Sequence, residues 1–99
     1  MVSIAIMTDI PETHTVAMPR LVRLRDITEC KIYLLESRIN MYATEIRLIR
    51  AKHARAPCEE YLRDIAQMEG FTHDLETQIE EKRTTLRSYV YQIETKRQN

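Results

Sequence analysis

Glycine is almost missing from this chain of 99 residues: there is one, with one Phe and no Trp. A single Gly excludes the phosphate-cradling loops GxGxxG and GxxxxGK[ST], which each need at least two. With three Pro and 30% charged residues, it also argues against a turn-rich β fold. No apolar run reaches eighteen residues, so no transmembrane helix is expected. The opening MVSIAIMTDI has no basic stretch before its apolar residues and is interrupted by Asp9 and Pro11, so no secretory signal is read there. Net charge is also missing, with fifteen Lys and Arg against fifteen Asp and Glu. That balance removes the bulk electrostatic case for nucleic acid or an anionic membrane.

Site chemistry is equally sparse. His14, His53 and His73 include no HExxH and no pair four residues apart, so no metal site is expected. His73 and Asp74 are adjacent and do not face each other on a helix. Cys58 and His53 are the one Cys/His pair close in sequence, but a helical hairpin offers them no concave pocket. No catalytic residue, cofactor or metal is therefore expected, and the chain is not read as an enzyme. Cys30 and Cys58 have no metal or redox spacing. With a bend near residue 56 they lie roughly 40 Å apart along a helix, which leaves two free thiols or a bond between two chains. Free thiols suit a reducing compartment, so the expected location is intracellular, cytoplasmic or nuclear.

What the chain has in abundance is heptad spacing. Ile32, Leu35, Ile39, Tyr42, Ile46, Ile49, His53 and Ala56 alternate at three and four residues, as do Tyr61, Ile65, Met68, Thr72, Leu75, Ile79, Lys82, Leu86, Tyr89, Ile93 and Lys96. Each series marks one face of an amphipathic helix. Pro57 divides them, since a proline inside a helix loses a hydrogen bond and clashes with the preceding turn. The expected fold is all-α: a long antiparallel hairpin, coiled-coil-like, with helix 1 over about 20–54 and helix 2 over about 57–96. Pro57 is read as the first residue of helix 2, ahead of the acidic Glu59 and Glu60. The join has no Gly or Asn, so one long helix kinked at Pro57 is the rival. Gly70 either ends a first segment, with Thr72 capping a second, or sits in a continuous helix that another helix approaches; the unbroken spacing favours continuity. Residues 1–19 show no helical period and read as a flexible or extended arm, in which Val2, Ile4 and Ile6 alternate like a short strand.

Charge supports the reversal. Residues 45–55 carry a net of +3 and residues 57–69 a net of −3, so a bend near 56 sets opposite signs side by side. The open end is different, with +2 over residues 20–31 and +4 over 82–99. Arg20, Arg23, Arg25, Arg83, Arg87 and Arg97 are the candidate contacts for an anionic partner, with a solvated polar face as the plainer reading. His53 falls on the helix 1 seam, where water or a carboxylate such as Glu59 or Glu60 would satisfy it. Lys82 on the other seam would fix register or simply snorkel.

Helix 1 also carries a second apolar line, Ile27, Leu34, Met41 and Leu48, repeating every seven residues about 130° from the centre of the first seam. One partner helix cannot cover both. Tyr33 and Tyr91 lie off the seams as further contact candidates. The expectation is a non-enzymatic interaction or assembly module. It would pair with itself, as a homodimeric four-helix bundle, or dock onto another helical protein as an adaptor, scaffold subunit or regulatory binder. Two rivals are a nucleic-acid-binding regulator that uses the basic open end, and a small secretion or assembly chaperone for an amphipathic helix.

Overall fold

The structure, a computed structural model, describes residues 17–98. The alternating Val2, Ile4 and Ile6 and nearly all of the expected N-terminal arm lie outside the described residues. Two helices, α1 (Met18–Arg55) and α2 (Glu59–Gln98), pack antiparallel as an extended hairpin. Their 38 and 40 residues make rods of about 57 and 60 Å at the usual rise.

Each end has a local cause. Ala17 is extended and makes no side-chain cap, but its carbonyl accepts the amides of Arg20 and Leu21 at 3.0 Å, and Pro19 sits in the first turn. α1 therefore starts slightly before residue 20. It stops because Pro57 drives the residue before it out of the helical region: Ala56 is extended, with φ −143° and ψ 91°, although its amide still reaches the Lys52 carbonyl at 2.9 Å. Pro57 is not the first residue of α2. It stays in the link with Cys58, and the helix begins at Glu59, with Glu59 and Glu60 at the positive end of its dipole.

α2 runs unbroken through Gly70. A Cβ placed there would meet nothing within 4 Å, and its φ is not positive. Within the hairpin, neither a close approach nor a turn explains the glycine.

The core is one seam wide. Ile32 and Leu35 pack against Leu75 and Ile79, with Ile39, Tyr42 and Leu86 around them. Nearer the bend, Ile46 meets Ile65 and Met68, flanked by Tyr42 and Ile49. Leu21 and Ile93 are the most buried side chains and close the open end. That end does not splay, although it carries like charges. Tyr89 is only half-buried.

Two ion pairs cross the hairpin on one flank: Arg50 with Glu69 and Arg83 with Glu36, both at 2.9 Å. In each pair the residue numbers add to 119, so one register holds between them without a slip. Exposed pairs of this kind add at most about 1 kcal/mol each; their larger effect is to fix alignment.

Two polar seam residues differ in outcome. Thr28 is buried but donates to the Leu24 carbonyl at 2.8 Å. The Thr72 hydroxyl is buried with no partner. Replacing Thr72 by Val should raise stability by about 1 kcal/mol, because it removes a desolvated hydroxyl while keeping the β-branched shape. Gly70→Ala should add about 1 kcal/mol through helix propensity alone. Urea denaturation with an unchanged slope checks both; a loss of stability at position 70 would mean that the glycine is needed for a contact outside the hairpin.

Candidate interaction surface

The heptad faces divide the hairpin into flanks of different chemistry. With Ile32 as position a of α1 and Ile65 as position a of α2, the bridging residues Glu36, Arg50, Glu69 and Arg83 all fall at e. This flank also carries shallow grooves beside Ile39 and Ile46, rimmed by the same charged residues. The other flank has no such straps. At its g positions α1 has Leu24, Lys31, Arg38, Glu45 and Lys52, and α2 has Asp64, Phe71, Gln78, Thr85 and Gln92. Phe71 tilts against Tyr42 with ring centres 5.7 Å apart and stays partly exposed.

Beyond that flank, at position c of α1, lies the second apolar line. Ile27 is 43% exposed, Leu34 60%, Met41 62% and Leu48 59%. They form a ladder with one rung every two turns, about 10.5 Å apart. α2 offers no counterpart, since its c positions are Glu60, Gln67, Asp74, Glu81, Ser88 and Thr95. The exposed large apolar side chains of α2 are Leu62, Phe71 and Tyr91, which do not share one face; Tyr33 and Tyr91 are both well exposed. A row of four uncovered aliphatic side chains on one helix is the feature most at odds with an isolated hairpin.

The six candidate arginines are not brought together. Arg20 and Arg97 are both at the open end, but the register that pairs Arg83 with Glu36 places Arg83 well down the hairpin. Arg83 also lies 3.7 Å from Glu80. Arg25 binds its neighbour Asp26 at 3.0 Å, and Arg87 donates to the Thr84 hydroxyl at 3.1 Å. Arg23 is exposed on α1. The result is a dispersed set, partly paired within the chain.

At the closed end, the link backbone at Cys58, rather than Glu59 or Glu60, meets His53. Its Nδ1 accepts the backbone N–H of Cys58 at 3.1 Å and lies 3.2 Å from the Cys58 carbonyl. Because Nδ1 is the acceptor, the ring proton belongs on Nε2. The ring also stands edge-on to Tyr61, with centres 6.4 Å apart. The imidazole thus closes the link that no Gly or Asn closes. What meets it is the Cys58 amide rather than the thiol. Cys58 is half-buried, Cys30 is exposed, and both are free.

Among the described residues, no three His, Cys, Asp or Glu side chains converge to hold a metal, and no helix is long and apolar enough to cross a membrane. No family model, curated protein or solved structure matches this chain. Loss of the imidazole in His53→Ala should cost about 1 kcal/mol and loosen the link, seen as faster amide exchange at Cys58. Unchanged exchange there would show that the bond carries no weight.

Proposed function

We propose that this protein is a non-enzymatic helical association module, whose work is to bring α1 against a further helix. The observation that carries this reading is the uncovered ladder of Ile27, Leu34, Met41 and Leu48. A hairpin gains stability from one seam only, and its second apolar line gains nothing until a partner excludes water from it. The partner is a second copy or another helical protein, in an adaptor, scaffold or regulatory role. Two free thiols fit a reducing, intracellular setting. The dispersed and partly paired arginines favour this reading over nucleic acid.

The ladder lies outside the hairpin's own core, so Leu34→Asp with Met41→Asp should leave the hairpin helical while abolishing association. Sedimentation of the wild type between 1 and 200 µM, with helicity measured alongside, reads both. A species heavier than the monomer that the double substitution dissociates supports the proposal. So does a wild-type monomer that unfolds without cooperativity, since that chain needs a partner to complete it. A cooperative, fully helical monomer in both proteins would overturn it.

A further inference from the structure

The His53 imidazole stands between the two polar backbone groups of a single residue. Its Nδ1 is 3.1 Å from the Cys58 amide nitrogen, whose proton it accepts, and 3.2 Å from the Cys58 carbonyl oxygen. That carbonyl also serves α2, because it accepts the Tyr61 N–H at 3.1 Å. An uncharged ring with its proton on Nε2 can use only the amide, since its Nδ1 has a lone pair and nothing to donate. A ring that has taken up a second proton has the opposite preference, because both of its nitrogens are then donors. Two N–H groups set against each other at 3.1 Å repel, whereas the carbonyl oxygen has two lone pairs and can serve Tyr61 and the ring together.

We propose that His53 is a proton-operated latch on the link of the hairpin: uncharged, it holds the Cys58 amide; charged, it releases the amide and holds the Cys58 carbonyl instead. Both partners already lie within hydrogen-bond distance, so the exchange takes a small shift of the ring and not an opening of the hairpin. One bond is traded for another, and the start of α2 comes to share its carbonyl acceptor with the ring. The amide that is let go belongs to a half-buried residue at the edge of the fold, where water can meet it. The seam from Ile46, Ile65 and Met68 onward takes no part in the exchange. This latch does not depend on what α1 associates with.

The charged groups around the ring come from both helices and oppose one another. On α1, Lys52 and Arg55 flank His53 in the last turn, while Arg50 is taken up by Glu69 at 2.9 Å. From α2, Glu59 and Glu60 stand in the first turn and Asp64 one turn further on, with Glu59 3.7 Å from Arg63. Tyr61 meets the ring edge-on, and the Cys58 thiol is free and half-buried. Among the described residues no carboxylate is hydrogen-bonded to the ring, so no direct ion pair ties it to one charge state. α1 ends here, and the negative pole of its dipole can face a cation. The ring is half-buried, which leaves it open to protons from solvent. Histidine is the side chain that ordinarily changes charge between about pH 5 and 8, a range in which carboxylates, lysines and arginines ordinarily keep theirs.

NMR of the ¹⁵N-labelled full chain between about pH 8 and 5 reads the exchange directly. At the upper end the ring nitrogens should show the proton on Nε2 and a bare Nδ1. As the ring charges, followed through its own carbon-bound protons, the Cys58 amide proton should move upfield on the same curve. Its protection against hydrogen exchange, corrected for the pH dependence of the intrinsic rate, should fall roughly fivefold over that step. His53→Asn is the companion protein: its side-chain oxygen stands about where Nδ1 does and accepts the same amide, but it takes up no proton. There the Cys58 signal should hold still across the range. A Cys58 signal that ignores the charge on the ring overturns the proposal. So does an uncharged ring protonated on Nδ1, a His53→Asn protein with the wild-type response, or a wild type that loses its helices as the ring charges.

Discussion

A helix can bury only the part of its circumference that a neighbour reaches, and a two-helix hairpin gives each helix one neighbour. That geometric limit governs the whole molecule. Its interior is a single seam, from Leu21 and Ile93 at the open end to Ile46 and Ile65 near the bend. α2 comes close to the limit, because its outward positions Gln67, Asp74, Glu81, Ser88 and Thr95 are polar and its exposed Leu62, Phe71 and Tyr91 are scattered over different faces. α1 does not, because Leu34, Met41 and Leu48 are as apolar as the seam residues and remain mostly exposed. The two helices are therefore not equivalent: α2 turns a mainly polar row outward and α1 an apolar one.

Alignment in such a narrow structure depends on features away from the core. Leu, Ile and Met in heptad layers pack almost as well one heptad out of step, so the seam itself discriminates weakly. The Arg50–Glu69 and Glu36–Arg83 pairs supply discrimination, since a slip would separate both at once. The link supplies the rest. Pro57 ends α1 by restricting Ala56, and the His53 imidazole then holds the Cys58 amide, so the reversal is fixed by side-chain chemistry rather than by a glycine turn.

The architecture was legible in the sequence because its cause is periodic. Three-four spacing on both sides of a proline shows two helices, and opposite charges around residue 56 show that they fold back. The second line on α1 was visible for the same reason. What depended on register was not visible. Six arginines looked like one basic end only while Arg83 was counted with the terminus; its pairing with Glu36 shows it is not there. Pro57 suited a first helical position by composition, yet helix formation starts at Glu59. The His53 bond could not be foreseen, because an imidazole accepting a backbone amide five residues on leaves no pattern in residue types. The unpaired Thr72 hydroxyl was likewise hidden: a seam threonine reads the same whether or not it finds a carbonyl, as Thr28 does and Thr72 does not.

The choice of small residues on α1 separates a specific surface from an incidental one. A solvent-exposed helix face far from any partner has no reason to exclude charge, and the flanks of α1 do not: Asp26, Lys31, Arg38, Glu45 and Arg47 line them, and Arg23 stands at the N-terminal end of the row of small residues itself. Cys30, Ser37, Thr44 and Ala51 repeat at one heptad position, interleaved with the four exposed aliphatics, where long charged side chains would have shielded those aliphatics from water. Keeping that row short leaves the apolar ladder standing clear of its surroundings. For a solitary hairpin this arrangement costs solubility and returns nothing; for two helices brought to close packing it provides the grooves that the opposing ridges need.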